Sequence, residues 1–252
     1  MATMKRIDKY SDIEQEMREL FEKHKQRLGY RSMQDQLRLQ NIGINHKTIL
    51  KLMKELNLVC KVKRKKYKSY KGEVGKIAPN ILQRQFKANV PFEKLVTDIT
   101  EFKIAETRVY LSPVMDLFNR EIISYSISKS PNMWQIREML KGVFEKIPDN
   151  VAPLLHSDQG WQYQQKAYQQ LLRENNIIQS MSKRGNCLDN ACMENFFGQL
   201  KSEMFYGETY ESVNSFISEL HNYIHYHNNQ RTSRKLKGLT PVGYKNQSFA
   251  II

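Results

Sequence analysis

Three acids, Asp98, Asp158 and Glu194, each sit in or beside an apolar stretch that has no packing use for a carboxylate, and 35 residues lie between the last two. Asp98 is inside the strand-like run 95–100, Asp158 closes the run 153–158, and Glu194 belongs to the amphipathic segment 189–204. Three carboxylates on three elements call for a fold that brings those elements to one point. Grouped carboxylates repel one another unless a cation neutralises them, and hard oxygen ligands with little other donor chemistry suit Mg²⁺ or Mn²⁺. The pattern points to metal-dependent phosphoryl transfer.

The stretch carrying these acids reads as an α/β domain. Strand-like runs at 95–104, 108–117 and 121–128 are joined by short turns, and in the third Ile123, Tyr125 and Ile127 alternate with serines. A helical pattern at 132–146, the strand ending at Asp158, a helix at 164–175 and a strand at 177–181 follow. With right-handed crossovers this predicts a mixed five-stranded sheet with flanking helices, Asp98 and Asp158 on neighbouring strands, and Asp158 at the carboxyl edge where such sheets bind ligands. On the helix after Gly185 and Asn186, Met193, Phe196, Phe197, Leu200 and Met204 form a stripe to be buried. Asn190, Glu194, Gly198 and Lys201 share another face, which is free to meet DNA. Gly198 costs about 1 kcal/mol relative to Ala, so it is either a site of close backbone approach or a tolerated glycine.

The first 60 residues are different. Ile13, Met17, Leu20, Phe21, His24 and Leu28 recur at helical spacing over 12–28; Met33 and Leu37 make a second short face; Asn45 caps a third helix carrying Ile49, Leu52, Met53 and Leu56. Three short helices fit a helix-turn-helix unit whose last helix offers His46, Lys47, Lys51 and Lys54 to a major groove, or a small bundle with solvated lysines. Residues 61–71 then hold seven basic side chains and no acid, among them Lys63, Arg64, Lys65 and Lys66, with Tyr67 and Tyr70 interleaved. Such a run is either a phosphate-tracking arm or a solvated linker. Gly72, Gly75, Pro79 and Pro91 mark a boundary. The expected organisation is a helix-turn-helix domain at 1–60, a basic arm and linker at 61–90, a catalytic core at 91–205 and a C-terminal helical segment at 206–252.

Charge narrows the partner. Forty Lys and Arg against 26 Asp and Glu give a formal charge of +14, which favours a polyanion, with nucleic acid first. A membrane surface also attracts basic protein, but no run of about 18 apolar residues exists and the N-terminus lacks a signal-like apolar region, so the expected location is the cytoplasm. Three cysteines without a CxxC pair exclude a disulfide framework or a Cys-based zinc finger. His221 and His225 at i and i+4, with His227, supply at most an incomplete zinc site, whereas Ile217, Leu220 and Ile224 beside them make a packing stripe.

Several strings in this order form a specific combination: Leu95-Val96-Thr97-Asp98-Ile99-Thr100, His156-Ser157-Asp158-Gln159-Gly160, the block from Gly185 through Glu194 to Phe197, and the tail Tyr226-His227-Asn228-Asn229-Gln230-Arg231 with Leu239-Thr240-Pro241-Val242-Gly243-Tyr244. Together they resemble bacterial insertion-sequence transposases, and more closely the orfB product of insertion sequence family three, relatives of retroviral integrases. Leu28-Gly29-Tyr30-Arg31 through Asn45-His46-Lys47 is similar to that family's helix-turn-helix segment. The resemblance spans nearly the whole chain. Two positions depart from it, Leu95 where relatives often carry Trp and His227 where they often carry Tyr.

The resemblance implies a ribonuclease H-like fold in which Asp98, Asp158 and Glu194 hold two Mg²⁺, with Mn²⁺ as a substitute. It implies cleavage of element ends and joining of a DNA 3′-hydroxyl by in-line displacement, without a covalent enzyme intermediate. It also implies double-stranded DNA as partner, a homo-oligomer holding two DNA ends, and a bacterial, nucleoid-associated location. Members of the family often act as fusions to an upstream orfA product with its own DNA-binding helices and coiled coil. Lys201 is expected on a phosphate near the scissile bond, or else exposed without a partner, and Lys183 and Arg184 in a loop gripping terminal DNA. Asp189 is expected to cap its helix. Asp116, the rival for a triad place, is expected to be structural, because its block resembles a family strand with no metal ligand. Two other functions compete: a DNA-binding regulator with an idle core, and a metal nuclease that cuts without joining.

Overall fold

The computed structural model describes residues 10–61, 76–183 and 187–249. They fall into two compact units, the smaller made of the residues up to 61 together with Thr232–Thr240, the larger of the rest.

In the smaller unit, α1 (Ser11–Lys23), α2 (Tyr30–Leu39) and α3 (His46–Glu55) close on a shared core of Met17, Leu20, Phe21, Leu28, Met33, Leu37, Ile49, Leu52 and Met53. Each fully buried side chain of this size contributes roughly 1.5–3 kcal/mol by leaving water, which is what holds three short helices together. The helix expected over 12–28 stops at Lys23, because Lys25 and Gln26 take the left-handed conformation (φ 50° and 58°) and turn the chain. Asn45 caps α3 by accepting from the Lys47 N–H at 2.8 Å. Thr232–Thr240, distant in sequence, folds here as well. Its Leu236 is buried, Arg234 reaches the buried Asp35 carboxylate at 3.5 Å and Gln34 Oε1 at 2.7 Å, and Gly238 at φ +84° lies where a Cβ would meet Asp35 Oδ1 at 3.3 Å.

The larger unit is built on one mixed sheet. β1 (Lys94–Thr97), β2 (Thr100–Ile104), β3 (Thr107–Asp116) and β4 (Ile122–Ser128) are antiparallel through β3, while β5 (Leu154–Ser157) runs parallel to β1 and β6 (Ile178–Met181) parallel to β5. The sheet counts six strands, not the expected five, because the run 95–104 is broken at Asp98 and Ile99. Its two pieces keep a continuous register on β3, with Thr97 opposite Val114 and Thr100 opposite Leu111. The break comes from Asp98 itself, whose Oδ1 accepts from the Ile99 N–H at 2.7 Å and takes that N–H out of the ladder. Taken as one interrupted strand, β1 and β2 lie between β3 and β5, and the order β4, β3, β1/β2, β5, β6 is that of a ribonuclease H-like sheet.

Alternation sends neighbouring residues to opposite cores. Val96 and Met115 face α6 (Ala191–Leu200) and α7 (Val213–Asn229), packing with Met193, Phe196, Leu200, Phe216 and Leu220. Leu95 and Val114 face α4 (Met133–Phe144) and α5 (Lys166–Glu174), packing with Ile136, Met139, Leu140 and Leu172. Gly142 lets α4 approach β4, since a Cβ there would fall 2.5 Å from Ser124 Oγ. The last helix, α8 (Pro241–Phe249), packs with α7. Residues 78–82 follow β6 on the sheet edge: the Ile81 and Leu82 N–H groups donate to Ser180 Oγ at 2.9 and 3.2 Å, and Leu82 is buried.

Candidate active site

β1 and β5 are neighbours running in the same direction, with Val96 opposite His156. Extending that register by two residues sets Asp98 opposite Asp158 at the carboxyl ends of the two strands, where backbones of paired strands are about 4.8 Å apart. Both acids keep part of their surface open. Asp158 is held in a turn, its Oδ1 accepting from the Gly160 N–H at 2.8 Å, and a Cβ on Gly160 would lie 2.9 Å from that oxygen. His156, two residues earlier, is buried between Ser180 Oγ (2.8 Å) and Ser182 Oγ (3.1 Å); burial lowers its pKa to about 4 and keeps it neutral.

Glu194 lies in the first turn of α6, where the helix dipole favours a carboxylate, and the packing of Met193 and Phe196 fixes the face it occupies. The electrostatics join it to Asp98. Asp98 has its pKa raised well above the carboxylate range by desolvation first, then by the charges of Asp158 and Glu194, against the Ile99 N–H bond and the Lys201 ammonium. Desolvation also raises Asp158 and Glu194. Asp98 and Asp158 are thus a facing pair with Glu194 in electrostatic range. Among the described residues, however, no three His, Cys, Asp or Glu side chains are close enough to hold a metal ion.

Lys201 follows α6 with its ammonium 5.2 Å from the centre of the Phe102 ring. Burial lowers its pKa, partly offset by Glu101 and Asp98. Asn190 is buried rather than open to a ligand: its Nδ2 turns to the Thr97 carbonyl at 3.4 Å, and its Oδ1 has no hydrogen-bond partner. Asp189 does not cap α6. It accepts from Arg84 Nε (2.8 Å), Asn80 Nδ2 (2.9 Å) and the Lys183 N–H (3.1 Å), tying the segment before β1 to the loop before α6. The Lys183 side chain is exposed; Arg184 lies outside the described residues. Gly198 has open space where a Cβ would stand, so no part of the described chain makes the close approach one reading of it calls for.

Asp116 accepts from the Phe92 and Phe118 N–H groups at 2.9 Å each, and desolvation raises its pKa to about 6. It ties the segment entering β1 to the turn leaving β3, which meet at one end of that strand pair. His227 packs edge-on against Phe196 and its Nε2 is 3.0 Å from the Arg120 carbonyl, while His221 Nδ1 pairs with the Tyr125 hydroxyl at 2.7 Å, so these histidines serve packing. Sequence reasoning missed Tyr163. Its hydroxyl is buried without a partner of good geometry, beside Thr97, and its pKa is raised by desolvation and then by the charges of Asp98 and Asp158. In the sequence it reads only as another apolar core position.

On α3 the side chains of His46, Lys47, Lys51 and Lys54 are all exposed opposite the buried Ile49, Leu52 and Met53. The arm residues Lys63, Arg64, Lys65 and Lys66 lie outside the described residues.

Models of an integrase core domain match residues 88–187 and 194–249, and a model of an HTH-like domain matches 9–66. The putative transposase InsK for insertion sequence element IS150 of Escherichia coli (strain K12) is 47% identical over 249 residues, which cover 99% of this chain and 88% of that protein. The chain belongs to the insertion-sequence transposases. Transposase InsF for insertion sequence IS3A of the same strain is 34% identical, over 91% of this chain and 81% of that one. Among solved structures, a simian T-cell lymphotropic virus intasome in complex with PP2A regulatory subunit B56 gamma matches at 15% identity and TM-score 0.46, covering 86% of this chain and 70% of that one. In this transposase no helix among the described residues is long and apolar enough to cross a membrane.

Proposed function

We propose that this transposase cleaves the ends of its insertion sequence and joins the freed 3′-hydroxyl to DNA, using Asp98, Asp158 and Glu194. The observation that carries the reading is the facing pair Asp98 and Asp158, whose ionisation burial disfavours and which remain partly open. Such a pair fits divalent cations, because a cation removes the repulsion and oxygen is the only donor offered. Asp98 and Asp158 would hold the ions, with Glu194 joining them from α6. Two Mg²⁺, or Mn²⁺ in their place, when bound supply Lewis acidity at the scissile phosphate and a nucleophile ionised near neutral pH.

The remaining side chains bind and orient. Lys201, whose ammonium feels the charge of Asp98, grips a non-bridging phosphate oxygen near the scissile bond. Asn190 steadies the end of β1 through Thr97. Lys183 and Arg184 hold terminal DNA; His46, Lys47, Lys51 and Lys54 enter a major groove; Lys63, Arg64, Lys65 and Lys66 follow the backbone. Two copies on paired ends, with or without an upstream orfA product, complete the assembly.

The test is incubation of the chain with a labelled duplex carrying its element's terminal repeat, with Mg²⁺ or Mn²⁺, for wild type and Glu194→Gln. Metal-dependent cleaved and joined products, absent in the variant, are expected. Equal metal-independent binding with no product from either would favour a DNA-binding regulator, and cleavage without joining would favour a nuclease.

A further inference from the structure

The helix that carries Glu194 does not end as an α-helix. It passes into a π-helical turn, Lys201–Phe205, closed by the Tyr206 N–H donating to the Lys201 carbonyl at 2.7 Å. A π turn strains the regular ladder and is found mostly where function calls for it. Here it begins at Lys201.

Two residues into that turn, Glu203 is buried and paired. Arg231, just beyond α7, donates from Nε to both Glu203 oxygens at 3.1 and 3.2 Å and from Nη2 to Oε1 at 2.9 Å, and the Tyr223 hydroxyl donates to Oε2 at 3.0 Å. The Gln199 amide lies against the same guanidinium, and with its oxygen and nitrogen exchanged the oxygen would accept from Arg231 Nη1 at 3.2 Å. A carboxylate removed from water is tolerable only with this degree of pairing, and a guanidinium fork fixes its direction as well as its charge. Residues two apart on a helical turn point to roughly opposite sides of it. Glu203 drawn to Arg231 therefore turns Lys201 to the other side of the turn, over the Phe102 ring, where its ammonium feels the charges of Glu101 and Asp98.

We infer that Glu203, Arg231 and Tyr223 are positioning residues for Lys201: the buried ion pair sets the π turn, and the turn aims the Lys201 ammonium at a phosphate oxygen next to the carboxylates. This rests on the reading of Lys201 as a phosphate contact. It also gives Arg231, which ends the tail string noted in the sequence, a role in the site without any contact to DNA.

The test compares wild type with Lys201→Ala, Glu203→Gln, Arg231→Lys and the double variant Lys201→Ala/Glu203→Gln. Binding to a duplex carrying the terminal repeat is measured across salt concentrations without metal, and cleavage with Mn²⁺. Lys201→Ala is expected to lower kcat/KM roughly 10- to 100-fold, the value of one charged hydrogen bond, and to flatten the salt slope by about one phosphate. Glu203→Gln and Arg231→Lys are expected to shift both in the same direction, and the double variant to be no worse than Lys201→Ala alone. Tyr223→Phe removes one bond and keeps the ion pair. It serves if an ion-pair variant does not fold, and shifts the slope the same way. Lower Tm with wild-type slope and kcat/KM would reduce the cluster to a fold element and overturn the inference. If Lys201→Ala itself changes nothing, the phosphate contact fails and the positioning role with it; if only the cluster variants are silent, the positioning role alone fails.

Discussion

Asp98 breaks the first strand, and desolvation together with the charges of Asp158 and Glu194 disfavours its ionised form. A carboxyl whose folded-state pKa lies above its unfolded value takes up extra protons on folding, so its contribution to stability is lost as pH rises from the ordinary carboxylate value through the raised one. Asp98→Asn keeps an acceptor for the Ile99 N–H and removes the charge. In chelator at neutral pH its Tm is expected to rise, on the order of 2–4 °C for each kcal/mol relieved in a chain of this size, although cleavage is lost. An equal or lower Tm by calorimetry would mean the carboxylate is not strained. Asp116 makes a second case, with a pKa raised to about 6. Its contribution falls between about pH 4 and 6, and Asp116→Asn is expected to make the stability profile flatter across that window than the wild type's. At this scale the sequence was legible for acids that follow strand-like runs, because parallel pairing aligns the residues that end two such runs. Tyr163 was not legible, since an aromatic in an apolar segment looks like core until its unpartnered hydroxyl is seen beside two carboxylates.

Among the elements, the stripe Met193, Phe196, Phe197 and Leu200 was readable as a buried face, because helical spacing fixes which side chains line up. The π turn at Lys201–Phe205 was not: periodicity carries Met204 into the same stripe, and the cause of the irregular turn, Arg231 reaching Glu203, is 28 residues away. Asp189 failed for a related reason. Asp before a helix is a good cap, but Arg84 and Asn80 compete for it from the segment read as linker. The turn after β5 offers a direct test. Gly160→Ala places a Cβ 2.9 Å from Asp158 Oδ1 and must rotate that carboxylate or open the turn. Cleavage is expected to fall roughly 10- to 100-fold, as for a displaced catalytic group, with little change in Tm. Wild-type activity in this variant would show that Asp158 need not be held by its turn.

For the molecule as a whole, a charge of +14 and the order of the elements were enough to anticipate a DNA-handling protein with a helical reader ahead of an α/β core. The sequence did not show that Thr232–Thr240 folds with the N-terminal helices, because that choice depends on pairing Arg234 with Asp35 and burying Leu236, contacts with no periodic signal. Removing the chain from Thr232 onward is expected to speed amide hydrogen exchange in α2, and unchanged protection there would show that the segment contributes nothing to the smaller unit. Asp98, Asp158 and Glu194 are proposed to hold two divalent ions together. Calorimetric titration of Mn²⁺ into the metal-free protein, compared with Asp98→Asn and Glu194→Gln, tests it most directly. Two ions per chain are expected for wild type, no tight binding in Asp98→Asn, and weakened binding in Glu194→Gln. Equal Mn²⁺ binding by all three proteins, or none by any of them, would contradict it.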